Sequence, residues 1–171
     1  VLETLAEKGF RGIKLHPEFQ GINADDPAMI RILKKAERLG LAVVLHAGID
    51  VGFEGPVRCT PGMIYNILQE IEGSKLIAAH MGGYRMWDDF EKYLVGTPVM
   101  IDTAFVVDRL GAEQYKRIIR SHGADKVLFG SDMPWERPSD TLDYLGKLGL
   151  DDEEMELITH KNAEKILALC M

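Results

Sequence analysis

The chain has 171 residues, 46% hydrophobic and 27% charged, which suits one soluble globular unit with a buried core. Its formal net charge of −7 argues against nucleic acid as a partner. No apolar run reaches the roughly 18–20 residues that cross a bilayer, so no membrane partner is expected.

Cys59 and Cys170 lie far apart and form no zinc or redox motif, which fits a reduced, cytoplasmic setting. The first residue is Val1 and it enters directly into a helix-like segment, which suggests a fragment or a processed chain. No linker or low-complexity tract divides residues 1–171, so a single domain is expected.

In chain order, a short helix over Leu2–Lys8 leads through Gly9 to a strand at Gly12–His16, which Pro17 stops. Asp26 and Pro27 then open a helix that runs to about Leu39 and closes at Gly40. Leu41–His46 is a nearly continuous apolar run, as expected of a strand covered on both faces. A Gly- and Pro-rich loop precedes a helix at Pro61–Ile71, a strand at Lys75–His80 and a helix at Trp87–Leu94. Val99–Thr103 is the next strand and Ala112–Ser121 the next helix, and Val127–Asp132 is the last strand. Helices are predicted over Ser139–Leu148, Asp151–Thr159 and Asn162–Leu169, the last capped by Asn162.

Strand and helix thus alternate as five βα units, the pattern of a parallel α/β fold. A doubly wound sheet usually binds its ligand at one switch point behind a glycine-rich turn, and no strand here is followed by G-x-G-x-x-G. Instead, several apolar runs end in His or Asp: GIKLHP, VVLHAG, LIAAHMGG and VLFGSDMPW. Collecting side chains from many strand ends is the habit of a TIM-type (β/α)8 barrel. Such a barrel takes about 250 residues, so this chain reads as its last five βα units.

The ordered motifs GFRGIKLHP, VVLHAG, LIAAHMGG, VMIDTAF, VLFGSDMPW and NAEKIL resemble the amidohydrolase superfamily, and within it the amidohydrolase-2 family of metal-dependent hydrolases and decarboxylases. The resemblance covers essentially the whole chain and aligns its strands with the fourth through eighth of the family barrel. The family's first strand, with an H-x-H or E-x-H pair of metal ligands, has no counterpart here.

His46 ends the most apolar strand, where a neutral imidazole is a good zinc ligand; a buried histidine bonded to a carbonyl is the alternative. The resemblance makes His46 and Asp132 ligands of a divalent metal, with zinc the expected ion. It also makes Asp132 the acceptor of a proton from water. A buried carboxylate without a cation is costly, though Asp132 could instead cap the segment that follows. His80 corresponds to a second-metal ligand or, in the favoured reading, a catalytic acid/base.

Lys14 and His16 share one strand face. Some members of the superfamily carry a carbamylated lysine on the fourth strand, so Lys14 is either carbamylated or a buried cation that orients a carboxylate or substrate; His16, at the strand end, contacts substrate or is structural. Arg58, in the loop with Asp50 and Cys59, could pair with a substrate carboxylate or simply be solvated. Trp135 would wall the pocket or pack beneath its loop. Asp102 and Thr103 have opposite parity, so only one faces inward. His122, near a helix end where a cation suits the dipole, and His160 are read as structural or exposed.

The resemblance implies hydrolysis of a small carboxylate, ester, lactone or amide, with a non-oxidative decarboxylase as the alternative. A catalytically incomplete fragment is the third reading. An unclosed barrel leaves strand edges open, so a homo-oligomer is expected.

Overall fold

A computed structural model describes residues 1–167 of the chain. Cys170 and the predicted end of the last helix lie outside the described residues.

All five predicted strands form, each shorter than the apolar run that announces it. They are β1 (Gly12–Leu15), β2 (Ala42–Leu45), β3 (Leu76–Ala78), β4 (Met100–Asp102) and β5 (Val127–Leu128). They pair in chain order, every pair parallel. The intervening helices are α1 (Leu2–Glu7), α2 (Pro17–Gln20), α3 (Pro27–Arg38), α4 (Pro61–Ile67), α5 (Trp87–Tyr93) and α6 (Ala112–His122). After β5 come α7 (Pro138–Lys147), α8 (Asp152–Glu156) and α9 (Asn162–Leu167). The five strands make a parallel α/β sheet that is open at β1 and β5 among the described residues.

Local chemistry explains most boundaries. The Asp26 carboxylate accepts the Ala28 N–H at 2.7 Å, and Pro27 fills the first position of α3, where no N–H donor is needed. Thr60 caps α4 by accepting the Met63 N–H. Asp151 and Glu154 form a reciprocal capping box on α8. Pro17 stops β1, as expected, but it also starts the unforeseen helix α2.

Asn162 does not cap a separate helix. The chain passes from α8 through a π-helical turn over Leu157–Lys161 into α9 without a break. The Asn162 amide instead donates to the carbonyls of Ala124 and Val127, both at 2.8 Å, and ties α9 to the start of β5. Two carbonyls need a donor there, and the side-chain amide supplies both bonds.

Alternation along the strands divides the apolar residues into two layers. Val43, Leu45, Leu76, Ala78, Ile101 and Val127 face the helices and join a core that includes Leu33, Ile64, Phe90 and Ile118. Ala42, Ile77, Met100 and Leu128 line the other face, where Ile166 of α9 packs on them. Full burial of each large aliphatic residue stabilises the fold by roughly 1.5–3 kcal/mol. Helix α9 therefore fills part of the concave face, while the carboxyl ends of the strands remain free for side chains with other work.

Of the two readings of His122, structural or exposed, the structural one holds. The side chain is buried, its Nε2–H donates to the Val99 carbonyl at 2.8 Å, and Phe90 meets its ring edge-on. Burial lowers its pKa from 6.5 to about 4, so the folded state holds it neutral where the unfolded chain would protonate it. Its contribution is therefore complete above pH 6.5 and is lost as pH falls toward 4. A shift of this size corresponds to about 3 kcal/mol. Urea titrations of the wild-type protein are expected to lose that order of stability across this window. In His122→Gln, which keeps an amide donor, the pH slope should flatten by about 2 kcal/mol or more.

Candidate active site

Ladder bonds run just past the strand ends and bring the polar residues to one rim. The His46 N–H donates to the Leu15 carbonyl, the Ala79 N–H to Leu45, and the Thr103 N–H to Leu128. His16 and His46 then stack, with ring centroids 4.3 Å apart and planes 9° from parallel. His80 stands on the other side of His46, its Nε2 3.2 Å from His46 Nδ1.

The hydrogen-bond chain orders the ring protons. A carbonyl only accepts, so His80 Nδ1 carries a proton and donates it to Ala104 O at 3.0 Å. With His80 neutral, its Nε2 accepts from His46 Nδ1–H, and the lone pair of His46 falls on Nε2. That atom is buried and, among the described residues, has no hydrogen-bond partner. Burial, reinforced by the neighbouring His80 and His16, lowers the His46 pKa to about 3. A neutral imidazole with an unused lone pair is what a divalent ion requires.

Two acidic residues extend the group. Asp50 Oδ2 lies 3.0 Å from His16 Nε2 and 3.9 Å from His46 Nε2. Its Oδ1 accepts the Gly52 N–H, so the carboxylate is held by its own turn. Glu18, nearly buried, accepts the Arg58 N–H through Oε1 and faces His16 Nδ1 at 3.5 Å through Oε2. Burial lowers the His16 pKa, against the pull of Asp50 and Glu18. His16, His46 and Asp50 each offer a donor atom within 4.8 Å of the others, a set that could hold a metal ion.

These residues open onto a cavity of about 550 Å³ that Lys14, His80, Asp132 and Trp135 also line. Lys14 is exposed rather than buried, because it points into the open concave face. Asp132 lies four residues beyond the short β5, in the left-handed region at φ 59°, and lines the cavity outside the tight His16–His46–Asp50 group. It does not cap α7, whose N-cap is Arg137. Trp135 is 73% exposed at the mouth.

Arg58 does not join them. It lies outside the cavity lining, and its backbone, not its guanidinium, bonds to Glu18 and to Ala24. Of Asp102 and Thr103, Asp102 follows the parity of inward-facing Met100, while Thr103 is fully buried and exchanges hydrogen bonds with Gly130. Sequence reasoning passed over Asp50 as a ligand candidate and Phe19, Phe53, Tyr84 and Phe105 as lining residues. Their shared signal is position: each follows a strand end on the rim side.

A family profile described as amidohydrolase matches residues 1–169. The chain belongs to the amidohydrolase family. Among solved structures it is similar to a TIM-barrel protein from Bordetella bronchiseptica (19% identity, TM-score 0.76, covering 98% of this chain and 60% of that one). It is also similar to a probable 2-pyrone-4,6-dicarboxylic acid hydrolase from Acinetobacter baumannii with citric acid bound (19%, TM-score 0.69, 98% and 67%). A third is a dihydroxybenzoic acid decarboxylase from Polaromonas with bound manganese and the inhibitor 2-nitroresorcinol (16%, TM-score 0.58, 86% and 55%). No curated protein matches the chain. At these identities the likenesses show the fold, and this amidohydrolase-family chain spans about three fifths of the length of these barrels.

One backbone crossing holds the rim together. Gly48 bridges to Tyr84, with the Tyr84 N–H donating to the Ala47 carbonyl and the Ile49 N–H to the Tyr84 carbonyl, both at 2.9 Å. A Cβ on Gly48 would stand 2.1 Å from the Tyr84 nitrogen, and its φ of +85° suits glycine. Gly48→Ala must push the two rim loops apart. Its unfolding free energy, read by denaturant titration, is expected to fall by about 2–4 kcal/mol.

Proposed function

We propose that the barrel to which this chain contributes five strands is a metal-dependent hydrolase of a small carboxylate, ester, lactone or amide. The observation that carries this reading is His46 Nε2, a buried lone pair without a partner among the described residues, at a cavity shared with Asp132, Asp50, His16 and Lys14. His46 and Asp132 would hold a divalent ion, zinc by preference, with Asp50 and His16 as further donors within reach. When bound, such an ion lowers the pKa of water toward 7 and polarises a substrate carbonyl.

The remaining work falls to the chain's own side chains. The Asp132 carboxylate accepts a proton from the attacking water. His80 keeps one proton on Nδ1, against Ala104 O; to act as the acid/base it would release the His46 Nδ1–H and take a proton on Nε2 at the cavity wall. Lys14 has its ammonium free to attract an anionic group on the substrate. Phe53, Phe105 and Trp135 supply apolar walls for the carbon frame and thin the water around it.

A second reading, decarboxylation, is supported by the aromatic lining beside Lys14, which suits a carboxylated ring, and by the likeness to a manganese-containing decarboxylase. The buried, free thiol of Cys59, its pKa pushed well up by burial, supports a reducing, cytoplasmic setting. The open edges of β1 and β5 support self-association.

Purified protein loaded with zinc is expected to hydrolyse small lactones or esters. His46→Asn and Asp132→Asn should each lower kcat by a factor on the order of 100 or more. Lys14→Met should raise KM about tenfold with little change in kcat. Carbon dioxide release without hydrolysis would move the protein to the decarboxylase reading. A protein carrying the whole barrel that binds no divalent metal would refute both.

A further inference from the structure

The residue that closes the hydrogen-bond system behind the site is Asp102, and neither its strand-end position nor its charge explains the contacts it makes. Its Oδ1 accepts two backbone N–H groups, from His80 at 2.8 Å and from Ala104 at 3.1 Å. Its main-chain carbonyl accepts a third, from Met81 at 2.8 Å. These bonds bracket the two consecutive non-glycine residues His80 and Met81, which sit in the left-handed region at φ 60° and 54°. Such a conformation is strained for a residue with a Cβ, so surrounding bonds must hold it. Trp87 adds one from outside, donating its indole N–H to the His80 carbonyl.

The same carboxylate oxygen therefore holds both partners of one catalytic hydrogen bond. It fixes the backbone that carries the His80 ring and the backbone that carries the Ala104 carbonyl, to which that ring donates. We infer that Asp102 is a positioning residue: through Oδ1 it locks His80 in the Nδ1–H tautomer, which in turn turns the lone pair of His46 out to Nε2. The chain of causes runs Asp102, Ala104 carbonyl, His80 ring, His46 ring, cavity. The bonds that carry it are a carboxylate on two amides and two neutral hydrogen bonds, His80 to Ala104 and His46 to His80. The last link rests on the reading of His46 as a metal ligand given above; the first three do not.

Two-bond nitrogen–proton correlation spectra of the imidazole rings test this on the metal-free protein, with no assay of turnover. In the wild type the His80 ring should show a protonated Nδ1 and the His46 ring an unprotonated Nε2. Asp102→Asn retains an oxygen able to accept both amides and should keep that pattern. Asp102→Ala should shift His80 toward a mixture of tautomers and unprotect the His80 and Ala104 amides from hydrogen exchange, while the far-ultraviolet circular dichroism stays native. Zinc titrated alone should then bind Asp102→Ala about tenfold more weakly than wild type or Asp102→Asn. A folded Asp102→Ala protein with the wild-type ring pattern overturns the inference. So does a wild-type His80 protonated on Nε2 alone, or an Asp102→Asn protein that loses the Nδ1–H form, and these last two apply even where the alanine variant does not fold. Should zinc bind none of the proteins while the ring pattern follows Asp102, the metal-site reading fails and the positioning role stands.

Discussion

Parallel pairing in a single chain-ordered sheet is the constraint on which the rest of this structure depends. With β1 to β5 each hydrogen-bonded only to its sequence neighbours, every carboxyl end arrives at the same rim. The pairing of Leu15 with Leu45 and of Leu45 with Ala78 sets His16 and His46 side by side and brings His80 to the far side of His46. A slip of one residue would send either histidine to the helix-covered face, because side chains alternate along a strand. The apolar residues on both sides of the sheet forbid that slip, so the core sets the geometry of the site.

The rim is where regular structure gives way. His80, Met81, Phe105 and Asp132 all adopt positive φ without being glycine, and all lie in the segments that follow β3, β4 and β5. Left-handed backbone there turns the chain sharply away from the strand direction and aims side chains across the cavity instead of along the barrel wall. The turns are held by bonds to the neighbouring strand end, Met81 to Asp102 and Gly130 to Thr103, and by a local one, Ala104 to Asp102. Conformational cost is thereby concentrated in the rim segments, where His80, Phe105 and Asp132 line the cavity, and the strands beneath remain regular. Burial in the same region removes charge, since desolvation lowers the pKa of both His46 and His16 despite the acidic groups nearby.

Much of this was legible from residue order. Among the described residues, alternating apolar runs and helix signals gave all five strands and eight of the nine α-helices, and Asp26–Pro27 marked the start of α3 to the residue. The resemblance of the ordered motifs brought His46, His80, Asp132, Lys14, His16 and Trp135 to attention, and all six line one cavity. Arg58 was misplaced because sequence shows that a loop starts on the rim side but not which way its side chains turn. His122 was open between a structural and an exposed role because Phe90 and the Val99 carbonyl, which bury it, are distant in sequence. The end of α8 was missed for a related reason, since the amide of Asn162 is claimed by carbonyls near β5 and not by its own helix.

The sequence by itself determined the class of fold, the chain order of the strands and the residue types delivered to the rim. Periodicity and punctuation are local properties, and each βα unit carries its own. Only the tertiary structure decided which of Asp102 and Thr103 faces inward, which ring nitrogen of His46 is left free, and that Asp50 stands closer to the histidines than Arg58 does. Those outcomes depend on bonds between residues 20 to 40 positions apart, such as His80 to Asp102 and Arg58 to Glu18. Such bonds come into being only when the strands have paired and their ends share one rim.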